Sequence, residues 1–294
     1  PFSTGVIGEP LDSAIIEGYV PFTFSGLREN GWIDAAKAIM TTDTFPKVRS
    51  IKIDTGKESV VVTGVCKGSG MIKPNMATML AYVATDAHLS KEVLSSIGKE
   101  ALDLSFNRIT VDGETSTNDA FALIATGKAT QSPIDSIQGP EYQAISDAII
   151  ELCERLAKDI VRDGEGATKL VTVNVVGAKT VEDALKVAYS VGESSLVKTA
   201  LFAEDPNWGR ILSAVGASDA IYLEIEKVAI SIDEHQIVSN GGIHNSYDER
   251  SVADVMRKTE FEILIDLNIG SAKGVIWTCD LSYEYVKINS EYRS

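Results

Sequence analysis

The sequence predicts an α+β fold, a layered α/β sandwich, and three observations carry that expectation. β-branched runs such as SVVVTGVC (59–66) and VTVNVVGA (171–178) read as buried strands. Ile145, Ile149, Leu152, Leu156 and Ile160 recur at spacings of three and four, which predicts an amphipathic helix over 141–162. The strands come in clusters rather than in regular β–α–β alternation, and no GxGxxG or GxxxxGK[ST] loop follows a strand.

Taken in order, residues 9–40 mix two helical segments, LDSAIIEGY and WIDAAKAIM, with a turn-rich middle. The strand at 59–66 runs into KGSGMIKPN, a loop by its glycines, proline and asparagine. MATMLAYVATDA follows and is apolar for most of its length. Residues 106–126 predict a strand, a hydroxyl-rich loop, and then a second strand or a helix start. In the long helix Glu151 and Arg155 form an i,i+4 pair, and Gly164 stands where a C′ glycine ends a helix. The segment from VEDALKVAYSV to Leu201 reads as mostly helical. KVAISI, FEILIDLNIG and GVIWTCDLSYEYVKINSEY supply further strands, and Leu264 on the polar side of the second predicts that both its faces are covered.

Composition narrows the function. The chain has 294 residues, 44% hydrophobic and 23% charged, enough for one large α/β domain or two lobes sharing a core. A net charge of −15 repels nucleic acid and anionic lipid, and no apolar run reaches the length of a membrane span. Neither a nucleic-acid nor a membrane partner is expected. Cys66, Cys153 and Cys279 are odd in number, far apart and without a CxxC pair, so reduced thiols in a cytoplasmic protein are expected rather than a disulfide framework or a zinc site. His88, His235 and His244 read as surface residues. PFSTGVIGEP lacks an initiator Met and a signal peptide, and reads as the continuation of a longer gene product.

Several segments are too polar or glycine-rich for their apolar surroundings: STGVIG (3–8), MTTDT (40–44), KGSGMIKPNMAT (67–78), DGEGATK (163–169), NSEYRS (289–294) and VDGETSTND (111–119). Singly, each is an ordinary turn. Together they point to an active site built from loops on a rigid scaffold. None of them contains histidine, which argues against Ser-His-Asp or Cys-His chemistry. Cys66 ends an apolar strand without a base and reads as core packing; Asp163 and Glu165 form only a weak candidate carboxylate pair. No metal site is expected. A threonine that becomes the first residue of a chain needs no histidine, because its own α-amine accepts the hydroxyl proton. Thr78, preceded by the small Ala77 and a glycine- and proline-rich loop, suits that role.

MTTDTFPK, KGSGMIKPNMATMLAYVATDA, RITVDGETSTNDA, IVRDGEGATKLVTV, LVKTALFAEDPNWGRIL and WTCDLSYEYVKINSEYR together resemble the ornithine acetyltransferase family, whose arginine-biosynthesis members are also bifunctional glutamate N-acetyltransferases. The resemblance runs from STGVIG to the last residue. It implies a sandwich of the DmpA/ArgJ type, similar to N-terminal-nucleophile hydrolases with a different connectivity. It implies self-cleavage between Ala77 and Thr78 into an α chain (1–77) and a β chain (78–294), which form one catalytic unit and assemble as two α and two β chains. It implies that Thr78 carries the acetyl group of N-acetylornithine to glutamate, with Thr4 and Gly5 forming the oxyanion hole. Thr41, Lys67, Glu165, Asn289 and Ser294 match substrate-contacting positions, Ser294 standing where threonine is usual. It implies no cofactor, with acetyl-CoA as a possible co-substrate. An amidohydrolase or aminopeptidase on the same scaffold is the alternative, with water in place of glutamate.

Overall fold

In the computed structural model, residues 2–56, 58–73, 79–129 and 132–292 are described. They form two sheets, each backed by helices, as the layered α/β expectation requires. The first sheet has the order β1 (Lys47–Asp54), β2 (Ser59–Lys67), β3 (Leu80–Thr85), β4 (Ala120–Ala125). The first two pairings are antiparallel, and β3 runs parallel to β4 with Leu80 opposite Ala120. The second sheet has the order β10 (Ala272–Cys279), β5 (Leu170–Ala178), β9 (Glu260–Asp266), β6 (Ala229–Ile232), β7 (His235–Ser239), β8 (Gly242–Ile243).

The helices follow their sequence signals. Ser90 caps α3 (Lys91–Leu104) by accepting from Val93 N–H at 3.2 Å. α4 (Pro140–Arg162) begins with proline in its first turn and buries Ile145, Ile149, Leu152, Leu156 and Ile160 completely. It lies against β1 and β2, and its far end touches β10 and β5, where Leu170, Trp277 and Cys279 join the first core. α5 (Val181–Gly192), α6 (Ser195–Phe202), α7 (Trp208–Gly216) and α8 (Glu249–Met256) contribute buried side chains to the second core.

Several expectations are corrected. Residues 47–54 form a strand the sequence reading passed over, because this edge strand exposes half of its residues and lacks an apolar run. Residues 106–108 form a single 3-10 turn, and the expected strand shrinks to one bridge between Ile109 and Trp277. The C-terminal run is a strand only to Cys279; Tyr283–Glu291 form α9, where Asn289 donates to Tyr285 O one turn back at 3.0 Å. The first helix, α1 (Ser13–Ser25), continues through the supposed turn-rich stretch, and the second, α2, spans Trp32–Ala38. β9 buries Phe261, Ile263 and Ile265 on one face and only half-covers Leu264 on the other. His88, His235 and His244 are half-buried rather than exposed. The three cysteines are buried and free, and burial pushes the Cys66 thiol well up, as a packing role requires.

Candidate active site

A cavity of about 150 Å³ opens where four loop segments meet the end of α9. It is lined by Thr4 and Gly5 from the first segment, Thr41 and Thr42 after α2, and Lys67 to Met71 at the end of β2 (Gly68 excepted). Glu165 beyond α4, Asn289 on α9 and Tyr292 close it. Six positions singled out in the sequence, Thr4, Gly5, Thr41, Lys67, Glu165 and Asn289, are thus brought together, although they span nearly the whole chain. Ala77, Thr78 and Ser294 lie outside the described residues.

The cavity wall is held by a buried ion cluster. Lys47, 1% exposed, donates to Asp43 Oδ1 at 2.6 Å and to Asp163 Oδ2 at 2.5 Å. Asp43 also accepts from Gly68 N–H at 2.9 Å and Thr41 N–H at 3.1 Å. Burial pushes the Asp43 carboxyl up, but Lys47 and these N–H groups outweigh it and hold the group below its ordinary range. Asp163 accepts from Thr44 N–H at 3.0 Å and from the Thr44 hydroxyl. Its backbone carbonyl accepts from Ser69 Oγ at 2.6 Å. Loop 40–44, the end of β2 and the turn after α4 are therefore tied together by one lysine and two carboxylates.

That pairing leaves Lys67 without a counter-ion. Its ammonium makes no hydrogen bond or ion pair among the described residues, although the residue is only 1% exposed. Burial pushes its pKa down, while Asp43 and Asp119 partly offset the shift. Across the cavity Glu165, 8% exposed, is held by neutral donors: Thr42 Oγ1 at 2.8 Å and Asn289 Nδ2 at 2.7 Å. The Thr4 hydroxyl is buried with no partner among the described residues. A lone cation, a carboxylate facing only neutral groups and an idle hydroxyl are unsatisfied partners that a zwitterionic ligand would complete.

Two glycines make this approach possible. A Cβ on Gly70 would stand 2.5 Å from the Glu165 carboxyl. Gly166 has φ of +69°, and a Cβ there would meet Tyr285 N at 2.6 Å. Gly164 does end α4, but the left-handed conformation falls on Gly166, where the chain turns under α9.

Sequence reasoning did not single out Thr42, Ser69, Gly70, Met71 or Tyr292 as site residues, nor Lys47 as the cluster's cation. Thr42, Ser69, Gly70, Met71 and Tyr292 all fall inside segments already marked as anomalous. Lys47 reads as an ordinary strand-end lysine, and only its burial reveals it. Among the described residues no group of His, Cys, Asp and Glu is arranged to hold a metal ion, and no helix is long and apolar enough to cross a membrane.

The two-sheet scaffold and its loop-built cavity, with opposed charges for an amino-acid-like ligand and backbone and hydroxyl donors at one end, define an acyl-transfer type of enzyme. The chain matches the ArgJ family over residues 1–294 and belongs to it. It is 52% identical to the arginine biosynthesis bifunctional protein ArgJ of Psychrobacter arcticus, over the whole chain and 72% of that relative. Its identity to the protein of the same description from Pseudomonas fluorescens is 49%, over 73% of that relative. The crystal structure of arginine biosynthesis bifunctional protein ArgJ from Bacillus halodurans resembles it with a TM-score of 0.68 at 37% identity. That match covers 72% of this chain and 98% of the solved one.

Proposed function

We propose that this chain is an acetyltransferase of arginine biosynthesis that moves the acetyl group of N2-acetyl-L-ornithine to L-glutamate. Thr78 is the nucleophile, exposed by cleavage of the Ala77–Thr78 bond. The observation that carries the reading is the unpaired, buried Lys67 ammonium facing one cavity with Glu165. Lys67 takes the substrate carboxylate and Glu165 its ammonium, so the acyl group is presented between them.

The Thr78 α-amine accepts the hydroxyl proton, and Oγ attacks the acetyl carbonyl carbon. Thr4 and Gly5 donate to the developing oxyanion; the idle Thr4 hydroxyl suits that task. The tetrahedral adduct collapses, the proton passes to the leaving nitrogen, and ornithine departs. The glutamate amine then attacks the acetyl-threonine ester and leaves as N-acetylglutamate. Thr41 and Asn289 border the same cavity as further substrate contacts, and Ser294 at the C-terminus is assigned with them.

The relatives' description as bifunctional supports acetyl-CoA as a second acetyl donor, giving N-acetylglutamate directly. An α chain of residues 1–77 and a β chain of 78–294, two of each in a cytoplasmic assembly, complete the reading. A solved relative matched over 98% of its own length, yet covering 72% of this chain, has about the extent of such a β chain.

Intact mass under denaturing conditions tests it. Two fragments are expected, the larger starting Thr-Met-Leu-Ala-Tyr and gaining one acetyl group when N-acetylornithine is supplied without glutamate. Thr78→Ala should stay uncut and inactive; acetyl transfer by that variant refutes the assignment. Free acetate released without an acceptor would instead favour an amidohydrolase.

A further inference from the structure

The structure assigns Asp112 a positioning role in substrate binding: its carboxylate clamps two walls of the cavity, the turn at Met71 and helix α9, on either side of Glu165. This inference deepens the acetyltransferase reading and rests on it. Asp112 itself does not line the cavity, so it acts through the residues it holds.

The first wall is strained. Met71 borders the cavity with φ of +55°, a left-handed backbone that side chains of its kind rarely adopt. Among the described residues Glu204, Asp233, Asn240 and Asn268 share that conformation, and none of them lines the cavity. Strain of this sort persists only where the surroundings hold it. Here the holder is Asp112: Oδ2 accepts from Met71 N–H at 2.7 Å and Oδ1 from Ile72 N–H at 3.0 Å. Val111 N–H donates to Ile72 O at 2.9 Å, so the turn is gripped from both sides by one segment. The held turn sets Gly70 against Glu165, so closely that a Cβ on Gly70 would stand 2.5 Å from the carboxyl. Glu165 N–H donates to Ser69 O at 2.9 Å in the same turn.

The second wall is α9, and apolar burial does not fix it, since none of its residues is buried. Polar contacts do. Ser282 Oγ donates to Gly166 O at 2.6 Å, and the Tyr285 hydroxyl donates to Asp112 Oδ2 at 3.3 Å. Burial first, and the Asp112 charge second, push the Tyr285 phenol up, so it remains a donor. One turn further along, Asn289 donates to Glu165 Oε2 at 2.7 Å. Glu165 therefore meets Gly70 on one side and Asn289 on the other, and Asp112 reaches the supports of both. If Glu165 takes the substrate ammonium, its place depends on this one carboxylate. Asparagine could not substitute. Its single oxygen would leave Met71 or Ile72 N–H facing an amide N–H, and Ile72 is only 1% exposed, which keeps water from taking over.

The test is steady-state kinetics with varied N-acetylornithine on the full chain, its cleavage verified by intact mass. Asp112→Asn should raise KM roughly 10-fold or more while kcat falls less, because the ammonium contact is made before and during acyl transfer alike. The same substitution placed on Met71→Gly should cost several-fold less than it does in wild type, since glycine adopts the left-handed turn unaided. A purely structural role for Asp112 gives the same loss in both backgrounds, and that result overturns the proposal. So does an Asp112→Asn KM within about twofold of wild type. If Asp112→Asn does not melt cooperatively or stays uncut, Tyr285→Phe decides: a KM raised roughly threefold or more supports the clamp, and an unchanged KM overturns it. Glu165→Gln separates the two readings. An unchanged KM in that variant refutes the substrate assignment and the clamp with it, whereas a raised KM there beside a normal Asp112→Asn removes only the clamp.

Discussion

Replacing Lys67 with methionine should move affinity and stability in opposite directions. Methionine fills nearly the same volume and removes only the ammonium. In the free protein that ammonium is buried without a counter-ion among the described residues, and burial depresses its pKa. The folded state therefore holds its proton less tightly than the unfolded chain. The cost to stability is present in full at neutral pH and is relieved as pH rises from the depressed folded value toward the ordinary lysine value near 10.4. Lys67→Met should melt higher than wild type at pH 7, with the difference shrinking in alkaline buffer. With substrate the sign reverses. One charge-assisted hydrogen bond to a carboxylate contributes about 1.5–3 kcal/mol, a loss of roughly 10- to 150-fold in kcat/KM. That loss should appear mainly as a higher KM, because the carboxylate is held equally before and during acyl transfer. The assays are steady-state kinetics with varied N-acetylornithine and thermal melts at pH 7 and pH 10. A variant with unchanged kcat/KM and a lower melting temperature would show that Lys67 is structural and refute the reasoning.

Two further outcomes follow from the same geometry. Lys47→Met strands the Asp43 and Asp163 carboxylates in a buried site and should cost about 3–5 kcal/mol of unfolding free energy, read from the urea midpoint. The Asp43 carboxyl is held below its ordinary range, so its contribution is present above the unfolded pKa near 3.9 and is lost as pH falls through the folded value; a wild-type urea series from pH 6 to 3 should show stability falling at the acid end. Gly70→Ala drives a methyl into the Glu165 carboxyl, 2.5 Å away, and should lower kcat/KM by about 100-fold at a small cost in melting temperature, since the displaced group borders an open cavity.

Much of the fold is legible because local pattern and burial coincide. The α4 stripe is read correctly because each of its apolar residues meets the first core. β2 is read correctly because its β-branched run buries alternate residues at its start and every residue from Gly64 to Lys67. β1 escapes notice for the opposite reason: as an edge strand it needs no apolar face toward solvent, and its backbone pairing with β2 is invisible in the sequence. α9 escapes notice because its aromatic and β-branched residues favour strands, yet no sheet edge receives them.

The site divides in the same way. By its residue types the sequence marked the polar loops, the absence of histidine from them and Thr78 as a candidate nucleophile, and by resemblance the residues that contact substrate. Chain order could not say that Lys47 is spent on two carboxylates while Lys67 is left alone, because both are lysines at strand ends. Charge pairing depends on which groups share a volume of low dielectric, and that is set by contacts between residues more than a hundred positions apart. The residue types and their local order came from the sequence; which charges cancel and which remain free was decided only when the two sheets and their loops closed around one cavity.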